Sequence, residues 1–442
     1  MQNDLFENAP VHKAYFSFAL PVVFSMVISL VYNMVDTYFI AQTGNTNLVA
    51  GVSIGAPIFT LMIALGDIFG LGGSSVISRL FGQKLDHDGK RLSVFCFYAA
   101  LICGIIVAAV MLSFRQPILH LLGADAETMT YASQYFTIIV FGAPFIIVSY
   151  TPSNLLRTEG FATASMTGTI LGAIINMVLD PIFISVLGLG AAGAAIATVI
   201  GNICTDLFYV WFILTKNRRI SVNPVGFRIT SAEIGQILAI GIPASITNLM
   251  QSLGMALTNR YLLPYGNDKV AAMGIVMKVN LIAILILVGF SFGAQPLIGY
   301  NYGAKNKDRL KEILRFCYGF ECSMAAVITV ILSLAAPALI GVFMPDASII
   351  AIGVPMLRMQ QIGMFFVAIV LVTTCTFQSA GKSVGAFLLS VSRQGVIFAA
   401  VILLASRLFG YTGVLAAQAV SDVLTAILAV GLFRHGLHKE ME

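Results

Sequence analysis

Charge is what this sequence has least of. Asp, Glu, Lys and Arg make up 10% of its 442 residues, against roughly 25% in an ordinary soluble domain. Hydrophobic residues make up 58% and the mean hydropathy is +0.92. That balance excludes a water-solvated globule and leaves an integral membrane protein. Histidine is scarce too. The five present (His12, His87, His120, His435 and His438) all fall at segment ends or in loops, so no intramembrane His-metal centre or His-based triad can be assembled. No Gly-Lys-Ser/Thr phosphate loop occurs, which excludes nucleotide hydrolysis by this chain. The six cysteines (Cys96, Cys103, Cys204, Cys317, Cys322 and Cys375) lie inside apolar segments without metal-ligand spacing and read as small core residues. The expectation is therefore a protein that is not an enzyme, has no cofactor and no structural metal, and draws its energy from a gradient.

Long apolar runs are what the chain has in abundance. Stretches of ~20 residues or more, enough to cross a hydrocarbon core, recur twelve times: 13–41, 51–78, 92–114, 131–155, 163–187, 191–215, 234–262, 271–298, 313–336, 354–379, 384–406 and 411–433. Barrel strands would be about half as long and polar on one face, so the runs read as helices. Counted over alternate loops, seventeen Lys and Arg fall on one side and four (Arg115, Arg260, Lys269 and Arg407) on the other. This positive-inside bias predicts both termini in the cytoplasm and accounts for the net charge of +5 without nucleic acid. No basic cluster precedes the first run, which is too long for a signal-peptide core, so the amino terminus is expected to be uncleaved.

The chain is also a duplication. Pro21, Gly44, Asn45 and Ala50 recur 222 residues later as Pro243, Gly266, Asn267 and Ala272; Gly82, Asp125, Gly142, Phe145 and Gly160 recur 221 later; Gly190, Gly193 and Ala197 recur 220 later. Six spans per half is an even number, so the repeats enter the membrane in the same orientation and are parallel. The predicted organisation is an amino-terminal lobe over 1–215, a cytoplasmic linker over 216–231 and a carboxy-terminal lobe over 232–442. Basic stretches at 79–91 and 300–315 correspond and are expected to form amphipathic helices at the interface.

The halves differ in their intramembrane acids. Asp36 and Asp180 stand where the second half has Thr258 and Val401. An ionisable group near the bilayer centre costs about 2.5–3.5 kcal/mol on insertion scales and needs a reason. Asp36, Asp180 and Thr198 sit at similar depth in the outer half of the membrane, and Asn176 shares a helix face with Asp180 four residues on. Pro181 removes a backbone donor and frees the carbonyl of Met177. Two carboxylates, an amide, a hydroxyl and a carbonyl suit a proton or a hard cation such as Na+; the competing reading is helix-end residues bonded to neighbouring backbone. Asp67, Asp206 and Asp422 lie nearer the cytoplasm and read as packing residues. Lys278, Arg358 and Arg393 are open between neutralising substrate, pairing with acids and snorkelling. Methionines and phenylalanines would suit an adaptable apolar pocket or ordinary packing.

Taken together, Pro21 with Val35, Asp36 and Thr37, the segment Asn176 to Pro181, and the segment Pro296 to Gly303 resemble motifs of the multidrug and toxic compound extrusion (MATE) transporters. The resemblance covers almost the whole chain. It implies an all-α integral membrane fold of twelve transmembrane helices, two parallel six-helix repeats around a central cleft, in a monomer of the bacterial cytoplasmic membrane. It further implies antiport of small organic cations against H+ or Na+ within the lipid bilayer. Asp36, Asn176, Asp180, Thr198 and Asn154 would form the coupling site, with Pro21 as hinge and Met34, Tyr38, Asn248, Gln251, Met255 and Lys278 as candidate substrate-cleft residues. The sequence departs from the family where helices 7 and 10 offer amides (Asn248, Gln251, Asn259, Gln360 and Gln361) in place of acids. A lipid-linked precursor flippase of related architecture is the alternative, though it calls for a strongly cationic cavity.

Overall fold

The computed structural model describes residues 2–216, 219–224 and 228–438. Arg218 and Lys439 of the basic count, and parts of the expected linker, lie outside the described residues. Long apolar runs with no water to hydrogen bond their backbone close their polar groups internally, and the chain folds accordingly into helices. They are α1 (Gln2–Glu7), α2 (Val11–Gln42), α3 (Thr46–Gly82), α4 (Asp86–Ser113), α5 (Arg115–Leu121), α6 (Met129–Phe141), α7 (Ala143–Thr158), α8 (Ala162–Asp180), α9 (Gly190–Lys216), α10 (Ser231–Leu262), α11 (Asn267–Gly303), α12 (Lys307–Phe343), α13 (Ala347–Ser379), α14 (Ser383–Val391) and α15 (Ile397–Leu432). No strand occurs among the described residues.

Ten helical runs are long and apolar enough to cross a membrane, and α6 with α7, bent by 50°, makes an eleventh. The bend falls at Gly142, where Pro144 opens the next helix and cannot donate to the turn before it. One of the ten, Ser383–Leu437, is 55 residues long; straight, it would run to ~80 Å, far beyond a core of ~30 Å. It turns at Gly410, whose φ of 55° and ψ of −131° break the helix within α15. Divided there, the run supplies two crossings, in keeping with twelve.

The duplication extends to backbone conformation. Gly160 and Gly381 have φ of 99° and 75°, Gly190 and Gly410 φ of 52° and 55°, and Lys84 and Lys305 φ of 64° and 56°. Positive φ is uncommon outside glycine, so two lysines at equivalent positions mark one turn built twice. These turns, at 83–85 and 304–306, correct the expectation of interfacial helices. Each lasts three residues, and the basic residues after it form the first turns of the long helices α4 and α12.

Contacts divide the chain into two compact units, an amino-terminal one of Phe24–Ile242 and a carboxy-terminal one of Asn3–Val23 with the chain from Pro243 on. The boundaries fall inside α2, just past Pro21, and inside α10, at Pro243. Within the carboxy-terminal unit, the first half of α2 packs on α11, where Gly293 leaves so little room that an added Cβ would lie 2.8 Å from Cβ of Ala19. Tyr15 stands among Phe290, Phe316 and Phe320, beside the fully buried Glu321, which accepts hydrogen bonds of 2.7 Å from Ser291. Phe6 of α1 stacks on Tyr300, whose hydroxyl donates to Glu7 at 2.5 Å.

Within the amino-terminal unit, the described part of the linker is held against α4. Ser93 exchanges hydrogen bonds with Ser221, Tyr98 donates to the Val222 carbonyl at 2.9 Å, and Arg91 donates to the Arg228 carbonyl at 2.7 Å and pairs with Glu233. Arg219 pairs with Asp86 and lies over the ring of Phe81.

Candidate coupling site and carboxy-terminal cavity

Helices α8 and α9 meet through glycines, and that contact places the first group of site residues. A Cβ on Gly172 would lie 2.8 Å from the Gly201 carbonyl oxygen, and a Cβ on Gly201 2.8 Å from that of Gly172. Thr205 fills the neighbouring level, donating to the carbonyls of Gly168 at 3.1 Å and Gly201 at 3.0 Å. At this separation Asn176 on α8 reaches α9, its Nδ2 donating to Thr198 Oγ1 at 3.3 Å while Thr198 donates to the Ala194 carbonyl at 3.0 Å.

Asp180 ends α8 one turn beyond Asn176. It is 0% exposed, yet neither carboxylate oxygen has a hydrogen-bond partner, and the Asn176 Oδ1 is likewise unpartnered. The six residues that follow, Pro181–Val186, form a π-helical turn, a widened geometry that frequently occurs at functional sites. The proline read from the sequence as a local disruption is thus the first residue of a wider turn.

Asp36 reaches the same region from α2. Its Oδ1 is buried and unpartnered, and its carboxylate lies within electrostatic reach of Asp180 and of the hydroxyls of Tyr32 and Tyr135. A desolvated oxygen without a partner costs ~1–3 kcal/mol, more when charged. Asp36, Asn176 and Asp180 thus bring buried oxygens that no protein donor satisfies into one neighbourhood. Backbone bonding, the competing reading of the sequence, does not occupy these oxygens.

A cavity of 110 Å³ adjoins the group, lined by Asn176 and Thr198 together with Ser29, Tyr32, Asn202 and Tyr209. Asp36 and Asp180 are not in its wall. Nor is Asn154, whose side chain is engaged along its own helix, donating to the Tyr150 carbonyl at 2.8 Å and accepting from Arg157. Met34 and Tyr38 are exposed on α2. Pro21 lies within a helix that continues unbroken from Val11 to Gln42. Asp206, read from the sequence as a packing residue, is buried with both oxygens unpartnered.

Tyr32 and Tyr135 were not singled out in the sequence. Tyr32 precedes Asp36 by one helical turn and so shares its face, a signal that was available. Tyr135 arrives from a distant helix because Gly55 leaves space for its ring, and no local pattern announces it.

The carboxy-terminal unit holds a second cavity, of 290 Å³, whose wall includes Gln251, Met255, Lys278, Gln360, Arg393 and Asp422. Asn248, one turn from Gln251, is outside that wall. Arg393 donates from Nε to Asp422 at 3.0 Å, and Gln418 donates to the same oxygen at 3.0 Å. Arg358 donates to the Ser333 carbonyl at 3.1 Å. Of the three alternatives left open for these cations, Arg393 pairs with an acid, whereas Arg358 bonds a backbone oxygen, which was not among the three.

The family model MatE matches residues 21–182 and 243–402, two segments that begin at the repeat-related prolines. The Multidrug export protein MepA of Staphylococcus haemolyticus is 31% identical over 425 residues, 96% of this chain and 94% of that protein. The same-named protein of Staphylococcus aureus strain NCTC 8325 is 30% identical over 430 residues, 96% of this chain and 94% of its own. Among solved structures, one described as an outward-facing conformation of a multidrug resistance MATE family transporter of the MOP superfamily superposes with a TM-score of 0.93 at 24% identity, covering 99% of this chain and 98% of its own. A MOP superfamily transporter from Pyrococcus furiosus, described as having a binding pocket of reverse polarity, gives a TM-score of 0.93 at 23% identity over 100% of this chain and 99% of its own.

Proposed function

Since the chain belongs to the MATE family of transporters, we propose that it is a secondary active exporter of amphipathic organic cations, coupled to H+ or Na+ at Asp36, Asn176, Asp180 and Thr198. It works from the cytoplasmic membrane of a bacterium, as a monomer with both termini inside. The observation that carries this reading is the pair of carboxylates, Asp36 and Asp180, buried within electrostatic reach of each other with oxygens that no protein donor satisfies.

The electrostatics give the cycle its direction. With both carboxylates charged the pocket attracts an organic cation. A proton or Na+ entering from outside removes that attraction and competes for the same oxygens, so the substrate leaves. Neutralisation also relieves the repulsion between Asp36 and Asp180 and lets α2 bend about Pro21, closing the space the substrate occupied. A proton moving down 100 mV yields roughly 2.3 kcal/mol, and expelling a monovalent cation against it costs as much. One-for-one exchange then leaves only the pH gradient, about 1.4 kcal/mol per unit, and a second coupling ion supports steeper gradients.

A flippase for a diphosphate headgroup is less well supported, because Arg393 is neutralised by Asp422 and, among the described residues, Lys278 is the one other cation in the wall of the carboxy-terminal cavity. The decisive test is Asp36→Asn. It abolishes ethidium efflux from loaded cells while membrane expression stays intact; unchanged efflux rejects the assignment. Proteoliposomes driven by a proton gradient alone or a sodium gradient alone identify the coupling ion.

A further inference from the structure

We propose that a cleft at the basic end of the carboxy-terminal unit binds a phospholipid with a net negative headgroup, its phosphate held by Lys311, Arg315 and Arg434 and an acyl chain laid along Tyr318, Cys322 and Val430. The proposal is independent of the coupling site and of the export reading.

Residues 311, 315, 318 and 322 follow one another on α12 at intervals of four, three and four, so they share one face of the helix. The first two are exposed cations. Tyr318 and Cys322, further in, open onto a cleft of 360 Å³ whose remaining wall is Ile369 of α13 with Val430, Phe433 and Arg434 at the end of α15 and in the π-helical turn after it. The Tyr318 hydroxyl lies 2.8 Å from Thr373 Oγ1, and its ring packs edge-on against Phe433 with centroids 6.0 Å apart. That ring contact brings the turn carrying Arg434 beside the turn of α12 that carries Arg315. From Arg315 to Cys322 the helix rises ~10 Å, so an apolar wall about a third as deep as a core of ~30 Å runs inward from the basic rim.

Charge complementarity selects the occupant. Among the described residues Lys311, Arg315 and Arg434 have no ion pair. The acids on the same stretch of α12 do not compensate them: Glu312 pairs with Arg309 at 3.0 Å, and Asp308 sits in the first turn, where a helix N-terminus favours an acid. An apolar cleft alone would take any hydrocarbon chain, and a cation cluster alone any soluble phosphate. The two joined end to end match a molecule that carries a phosphate charge and hydrocarbon together, and basic pockets between membrane helices recognise such headgroups. A zwitterionic lipid brings its own ammonium to the cations and gains less.

The test titrates the full-length protein in detergent with phosphatidylglycerol and with phosphatidylcholine of the same acyl chains, and resolves each bound lipid by native mass spectrometry. Near a membrane surface each Lys or Arg is worth about fivefold in affinity for an anionic lipid. The first phosphatidylglycerol is expected to bind roughly tenfold or more tighter than phosphatidylcholine. Arg434→Gln lowers its affinity about fivefold, and Arg434→Lys, which keeps the charge, restores it. The triple variant Lys311→Gln, Arg315→Gln, Arg434→Gln loses the preference for phosphatidylglycerol, whereas Arg407→Gln, at an exposed cation elsewhere on α15, keeps it. Cys322→Trp fills the cleft, leaves the cations in place and weakens both lipids; thermal melts establish that each variant is folded. Equal affinities for the two lipids in the parent, a preference that survives the triple variant, or unchanged phosphatidylglycerol binding in folded Cys322→Trp overturns the proposal. So does displacement of phosphatidylglycerol by an equal concentration of glycerol 3-phosphate, which would show that the headgroup binds without its chains.

Discussion

Gly172 and Gly201 face each other across α8 and α9 so closely that a methyl on either would lie 2.8 Å from the other's carbonyl oxygen. This contact sets the distance over which Asn176 reaches Thr198. Gly201→Ala forces the helices apart at a cost of ~1–3 kcal/mol of overpacking and opens the 3.3 Å hydrogen bond. Efflux falls and the melting temperature of the purified protein drops by a few degrees. Gly235→Ala is the control: nothing lies within 4 Å of its added methyl, so it leaves thermal stability unchanged or raises it.

Gly410 supplies the turn that makes two crossings of one helical run. Its φ of 55° with ψ of −131° is open to glycine and costly for any residue with a Cβ, by ~1–3 kcal/mol. Gly410→Ala lowers the melting temperature. Gly431→Ala, at a helical glycine with free space around it, does not.

The Arg393–Asp422 pair sits with side-chain exposures of 14% and 3%. Removing one partner strands the other, at ~3–5 kcal/mol, whereas replacing both with apolar residues is close to neutral. Arg393→Met and Asp422→Leu singly each reduce the yield of folded protein and its melting temperature, and the double variant recovers most of the loss. Additive losses in the double variant would show that the two residues act independently.

Asp125 and Asp346, repeat equivalents in loops outside the spans, both hold local turns. Asp125 accepts from Thr128 and Glu127, and Asp346 from Ser348 and Ile349. Side-chain hydrogen bonds, from Thr128 and Ser348 respectively, are the largest cause that lowers each carboxyl below its ordinary range. A lowered folded-state pKa stabilises fully above the unfolded value, near ~3.9, and the contribution vanishes as pH falls through the lowered value. Asn caps about as well as Asp, so the double Asp→Asn variant matches the parent at pH 7 and loses less stability in thermal melts taken from about pH 5 down to pH 3.

Span number and helix type were legible in the sequence because lipid imposes them through length and composition, which are local properties, and the duplication because residues such as Pro21 and Pro243 recur at a nearly constant offset. Asp36 and Asp180 were legible as site candidates because a buried acid is conspicuous in an apolar run. The pairing of Arg393 with Asp422 across two helices was not, since sequence separation says nothing of which face each presents. Asp206 read as packing on position alone, and only its lack of partners in the fold sets it apart. The bend at Gly142 was written in the nearby Pro144 but hidden inside a continuous hydrophobic stretch. The contrast between the unpartnered acids Asp36 and Asp180 and the paired Asp422 emerges only in the fold, because the sequence shows cations and acids without their bonds.

The boundaries inside α2 and α10 have a bearing on engineering. Cutting the gene at the repeat junction would leave each product with an orphaned strap, 3–23 in one and 231–242 in the other, belonging by its packing to the opposite folding unit. Independent expression of the halves should therefore yield stable material only when both are made together. By the same logic, a single six-helix half made alone is expected to pair with a second copy of itself by exchanging the leading portion of its first helix.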